Sequence, residues 1–134
     1  MRIMIDANII VSAILFPNSN IAKAIDHIGN NFDLIISKYT LEEVEDVFNE
    51  KFPHKLSEMY EFMKQVPYEL FVLEKIENKK YPSIRDDEDL PVLANAIESK
   101  VDILITGDKD FDNVKIEIPK IMKPREYIDE YMVG

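Results

Sequence analysis

Short apolar runs alternate along the chain with longer stretches in which apolar residues recur every three or four positions. Residues 2 to 6, with the run Ile3-Met4-Ile5, predict a strand covered on both faces. Asn18, Ser19 and Asn20 are cap candidates for a helix carrying Ile21, Ala24, Ile25 and Ile28, which Gly29-Asn30 would stop. Phe32 to Ile36 predicts a second strand. Thr40 would cap a helix with Leu41, Val44, Val47 and Phe48 on one face, broken at Phe52-Pro53. The set Leu56, Met59, Tyr60, Met63 and Val66 predicts another helix over Lys55 to Val66, with Phe62 off its stripe. Between Asp6 and Asn18 the pattern assigns no element.

Phe71 to Leu73 is a third strand candidate, and the polar stretch Glu77 to Glu88, with Pro82, predicts a loop leading to the sheet edge. Leu90 to Ile97 predicts a helix that tolerates Pro91 in its first turn. Ile103 to Thr106 is a buried strand, and Ile116 to Ile121 adds an edge strand limited by Pro119. Pro124 starts a terminal helix with Tyr127, Ile128 and Tyr131 inward. Strands alternating with helices imply an α/β fold, a three-layer α/β/α sandwich around a mostly parallel sheet. We expect one domain over residues 1–134, large enough to bury about two thirds of its unfolded surface.

Zero cysteines exclude disulfides and thiolate metal sites, leaving carboxylates, amides, water and two histidines as ligands. His27 and His54 lie far from any acidic motif and are expected to be structural or solvated. The apolar runs are too short to span a membrane, and Met1-Arg2 leads straight into strand pattern, so a cytoplasmic protein is expected. The net charge of −10 weighs against an extended basic footprint on nucleic acid. It leaves room for a local metal site that draws phosphate.

Two strands end in acids. Ile5 leads into Asp6-Ala7-Asn8, and Ile105-Thr106 leads into Gly107-Asp108-Lys109-Asp110, where Gly107 would let the backbone turn. In an open parallel sheet the strand C-termini share one crevice, so these acids converge and repel unless a cation lies between them. Turns explain each motif in isolation: an Asx turn at Asp6, a capping box in Thr40-Leu41-Glu42-Glu43, and an N-cap at Asp89. Periodicity leaves open whether Glu42 or Glu43 points inward. Four acids in a row, Asp86 to Asp89, exceed what capping needs. Lys38, Arg85 and Lys109 flank these motifs and could contact phosphates.

Ile5-Asp6-Ala7-Asn8 with Ser12, Ser37 to Thr40 with Leu41-Glu42-Glu43-Val44, Asp89 to Ala96, and Leu104 to Phe111 follow one another in order. Together they resemble the PIN-domain family, metal-dependent ribonucleases that include VapC-like toxins. The resemblance implies an acidic quartet at Asp6, Glu43, Asp89 and Asp108, with Asn8, Thr106 and Asp110 in support. It implies one or two Mg²⁺ or Mn²⁺ ions, hydrolysis of RNA phosphodiesters, and a protein antitoxin as a partner. The preference for Glu43 over Glu42, and for Asp89 over Asp86 or Asp87, comes from that resemblance. A homodimer is also expected, because PIN-like domains often pair and Phe62 would be exposed on a monomer. Two other readings remain: a Mg²⁺-dependent phosphoryl-transfer or receiver domain, given Lys123-Pro124, and a non-catalytic interaction module. No acid-terminated central strand between Asp6 and Asp108 is available as phospho-acceptor.

Overall fold

The computed structural model describes residues 1–77 and 80–132. Asn78 and Lys79, within the loop expected over Glu77 to Glu88, lie outside the described residues. Strands β1 (Arg2–Ile5), β2 (Asp33–Ser37), β3 (Glu69–Phe71), β4 (Ile103–Ile105) and β5 (Lys120–Met122) form one sheet in the order β3-β2-β1-β4-β5. Every pairing is parallel. The helices are α1 (Ala7–Leu15), α2 (Asn20–Asn31), α3 (Lys38–Lys51), α4 (Leu56–Gln65), α5 (Leu90–Glu98) and α6 (Pro124–Tyr131).

Strand residues of alternate parity face opposite layers. Ile3, Ile5, Leu34, Ile36, Ile103 and Ile105 join the larger core with buried side chains of α1, α2, α3, α4 and α6. Met4, Ile35 and Leu104 face the smaller core, built by Val92, Leu93 and Ala96 of α5 with Val101 and Phe111. The sandwich is thus lopsided. From β1 the chain runs outward to β2 on one side and β4 lies on the other, which puts the topological switch between β1 and β4. That is where an open α/β sheet has its ligand crevice.

Several expected boundaries move. Residues 7–15 form α1, although Ile9-Ile10-Val11 is β-branched, because Asp6 accepts from the Ile9 amide (3.3 Å) and caps the turn. Ser37, not Thr40, caps α3: its hydroxyl oxygen accepts from the Thr40 amide at 3.0 Å. Thr40 is buried in the first turn with no hydrogen-bond partner for its hydroxyl, so no capping box forms there. The third strand lies two residues earlier than expected, because register with β2 pairs Ile35 with Glu69 and Ser37 with Phe71. The fifth strand is an edge, as its proline demanded, and starts after Pro119.

Helix α4 reverses the expectation for its aromatic residues. Phe62 packs against the core and lines a groove with Ala13, Ile25 and Val66, whereas Tyr60 is 58% exposed. The helix buries the side that meets α1 and α3, and Phe62 falls on it. Phe62 therefore gives no argument for a dimer. His27 is structural as expected: its Nδ1 is 2.6 Å from the hydroxyl of buried Tyr127, joining α2 to α6. Burial pushes the Tyr127 phenol up to about 12.

Candidate metal centre

The site begins at the end of β1. Backbone pairing continues one residue past the strand, with the Asp6 amide donating to Ile105 O at 3.3 Å. The chain then turns into α1, and the Asp6 carboxylate is held at the helix N-terminus with 6% exposure. One carboxylate oxygen accepts from the Ile9 amide and the other from the Thr106 hydroxyl. Burial raises the Asp6 pKa, the hydrogen bonds from Thr106 and from the Ile9 and Asn8 backbone lower it, and Asp108 raises it.

Thr106 is buried just beyond β4 and works in two directions. It donates to Asp6, and its hydroxyl oxygen accepts from the Asp108 amide at 3.1 Å. Asp108 in turn accepts from the Asp110 amide at 2.9 Å, capping a 3₁₀ turn over Lys109–Phe111 that anchors Phe111 in the smaller core. Gly107 does not have a positive φ, and a Cβ there would meet open space. The turn thus needs a hydroxyl and a carboxylate more than it needs a glycine.

Glu43 reaches the same cleft from the second turn of α3. It is half-buried, and burial, then Asp6 and Asp46, push its pKa up. Asp89 closes the ring from the 3₁₀ turn Asp87–Asp89 that leads into α5. Its carboxyl is pushed from 3.8 up to about 7 by burial, by a shared hydrogen bond with Asp110, and by the charges of Asp108, Asp110 and Asp86. Asp6, Asn8, Glu43, Asp89 and Asp108, with Ala7, Val92 and Phe111, line a cleft of about 50 Å³, enough for an ion or two with little water. Among the described residues, no Lys, Arg or His pairs with Asp6, Glu43, Asp89 or Asp108.

A family model described as PIN domain matches residues 2–110. The chain belongs to the PIN-domain family. No curated protein matches it in sequence. Its fold is similar to that of a chain in the crystal structure of VapBC2 from Rickettsia felis bound to a DNA fragment from their promoter. The TM-score is 0.67 at 20% identity, over 92% of this chain and 97% of that chain. At that identity the likeness concerns the fold alone.

Within this PIN fold the open choices separate in space. Glu42 turns outward, with its carboxylate 3.9 Å from Lys38 Nζ, while Glu43 faces the cleft. Asp87 faces a groove with Tyr81, Pro82 and Ile84, away from the other acids. Asp86, Asp89 and Asp110 each place one carboxylate oxygen within 4.8 Å of the others, extending the acidic cleft sideways. Asp86 is the neighbour that the linear sequence hid, since only the fold of the loop brings it to Asp110. Arg85 tempers that flank, with Nε 3.6 Å from Asp110, and Lys109 is exposed. Tyr39 was also missed. Tyr39 lies in the first turn of α3, and its phenol pKa is raised by burial and then by Glu43, Asp89 and Glu88.

Proposed function

We propose that the protein is a metal-dependent endoribonuclease acting at the cleft between β1 and β4, and that it is the toxin of a toxin–antitoxin pair. One observation carries the activity: carboxylates delivered by four separate elements crowd one small crevice with no basic partner, and burial and mutual repulsion raise the pKa values of Asp6, Glu43 and Asp89. Side chains that only capped helices would not need to meet. The all-oxygen donor set fits a hard cation such as Mg²⁺ or Mn²⁺, which takes carboxylate and phosphate oxygens together. When bound, the cation would neutralise the phosphate and acidify the attacking water.

Asp6 and Asp108 are the residues proposed to hold it, supported by Thr106, which fixes both through one hydroxyl. Asn8 lines the mouth, and its backbone favours the charged form of Asp6. Glu43 and Asp89 stand across the cleft, where either carboxylate orients the water and takes its proton as the water oxygen attacks phosphorus in line. The P–O bond to the leaving ribose oxygen then breaks, and that oxygen leaves with a proton from solvent. Asp110 keeps the Asp108 turn in place, and its carboxylate lies close to that of Asp89, whose pKa it raises.

An antitoxin partner is part of this reading, supported by the likeness to a chain of the VapBC2 complex. A cytoplasmic location fits an RNA substrate, and no helix among the described residues is long and apolar enough to cross a membrane. The receiver alternative loses support from the family assignment. Incubation of single-stranded RNA with the protein in Mn²⁺ or Mg²⁺ should give cleavage that a chelator stops and Asp6→Asn removes. Intact RNA under all metal conditions, with no Mn²⁺ binding by calorimetry, would discard the proposal.

A further inference from the structure

Tyr39 lies one helical turn ahead of Glu43 in α3, and residues four apart are neighbours on a helix surface. Glu43 lines the acidic cleft. The Tyr39 ring is partly buried against the smaller core, whose members Val92 and Phe111 also line that cleft, so the ring and the cleft are built on one layer. Helix α3 meets α5 directly, and Glu88 and Asp89 form the turn that leads into α5.

The ring is packed, but its hydroxyl is unused. Burial comes first in raising the phenol pKa, followed by the charges of Glu43, Asp89 and Glu88, and the hydroxyl has no hydrogen-bond partner among the described residues. Tyr39 therefore keeps a free O–H donor throughout the physiological range. A lysine or arginine beside the same acids would pair with them and compete with a cation, whereas a neutral phenol donates without doing so. Glu88 supplies the opposite half. It is exposed, and its 2.9 Å hydrogen bond to Asp86 comes from the backbone amide, which leaves its carboxylate without a partner among the described residues.

We infer that the Tyr39 hydroxyl and the Glu88 carboxylate form a donor–acceptor couple that binds a ribose 2′-hydroxyl of the substrate at the mouth of the cleft, and so select RNA over DNA. The inference rests on the nuclease reading and adds how its substrate class is chosen. A 2′-hydroxyl both donates and accepts, so it matches a donor with an acceptor close by. The carboxylates repel a phosphate from this place and leave it to the cation. A deoxyribose has no group for either partner, and a site built to bond a hydroxyl rejects the analogue that lacks it.

The test compares initial rates in Mn²⁺ on one short single-stranded RNA and on a set in which each nucleotide in turn carries a 2′-deoxyribose. With the wild type, deoxyribose at one position beside the cut should lower kcat/KM about fivefold, the worth of one hydrogen bond. Tyr39→Phe keeps the ring on the core and removes only the O–H. It should lower kcat/KM on the all-RNA substrate about fivefold and lose nothing more from deoxyribose at that position. Glu88→Ala should reduce the same preference. Tm and Mn²⁺ affinity should match the wild type in both variants, which a structural role for either side chain would not allow. A wild type indifferent to deoxyribose at every position, or a Tyr39→Phe variant that loses as much as the wild type at the sensitive one, overturns the couple and leaves the nuclease reading standing. So does a Tyr39→Phe variant whose Mn²⁺ affinity falls in step with its activity, because the phenol would then act through the acids. No cleavage of any RNA by the wild type overturns both.

Discussion

At the N-terminal end of the strands, Arg2 donates to both carboxylate oxygens of Glu69 at 3.2 and 2.9 Å and to Ser99 O at 3.0 Å. Its backbone amide meets Asp102 Oδ2 at 2.8 Å. Those contacts join β1, β3 and the residue before β4, and the Arg2 hydrogen bond pulls the Glu69 pKa down. At the C-terminal end, Asp6, Glu43 and Asp89 all have raised pKa values. The same sheet thus carries acids satisfied by a base at one end and acids left for something to satisfy at the other. One end contributes to folding unaided; the other is stable only at the expense of electrostatic repulsion that a cation would relieve.

The largest effect should come from removing charge at the crowded end. Asp6→Asn and Asp108→Asn should each lower RNA cleavage by about 10²-fold or more, measured by initial rates in Mn²⁺. Arg2→Ala should leave those rates unchanged. Equal losses from both ends would erase the distinction.

Cation binding should come next. At a hundred times its dissociation constant, Mn²⁺ should stabilise the fold by about 2.7 kcal/mol, seen as a rise in Tm that Asp6→Asn abolishes. Asparagine caps a helix as well as aspartate does, so this variant keeps α1 and isolates the charge. Without metal, its Tm at neutral pH should exceed that of the wild type. A lower value would show that the acid is structural.

The ends should also differ in pH response. The folded chain holds the Asp89 proton up to about 7 while the unfolded chain releases it near 3.8, so this group makes stability fall as pH rises between those values. Glu69 and Glu98, lowered by Arg2 and Lys80, act the other way and lose their contribution as pH drops below the ordinary glutamate range. Metal-free thermal melts should therefore peak near pH 5, at about the crossing of the two effects. Saturating Mn²⁺ should flatten the alkaline side alone. Solvent screening at half-exposed Asp89 limits the size of the shift.

Arg2→Ala should lower Tm by a few degrees, an effect that salt weakens because the Glu69 pair is exposed. The smallest expectation is none at all. Glu42→Gln and Asp87→Asn, next to cleft acids in sequence but turned away in space, should leave cleavage, Tm and Mn²⁺ binding unchanged.

Both central strands and their terminal acids were legible because a strand buried on both faces shows as an unbroken apolar run. Asp6 and Asp108 mark where those runs stop. Helix α1 was not legible: Ile9-Ile10-Val11 favours extended backbone, and the deciding contact is a side-chain cap that composition does not reveal. The start of α3 was misjudged because Ser37 and Thr40 are both good caps, and only register with β3 keeps Ser37 at the strand end. In α4, Tyr60 belongs to the expected stripe and Phe62 lies off it, yet they exchange roles because the neighbouring helices choose which side is buried. The inward turn of Glu43, and the meeting of Asp86 with Asp110, depend on tertiary placement of α3 and of a loop with little periodicity.

The Thr106 hydroxyl reaches Asp6 across 100 positions of sequence. At translation speeds of about 5 to 20 residues per second, Asp6 waits on the order of 5 to 20 s for the partner that fixes it. Strand β1, at the centre of the sheet, lacks its β4 neighbour for that whole interval. A nascent or prematurely terminated chain therefore has neither Asp108 nor the hydroxyl that aims Asp6, and on the nuclease reading it is harmless to the message being translated. On that reading, activity waits until the stretch carrying Thr106 and Asp108 has left the ribosome, a delay set by topology alone.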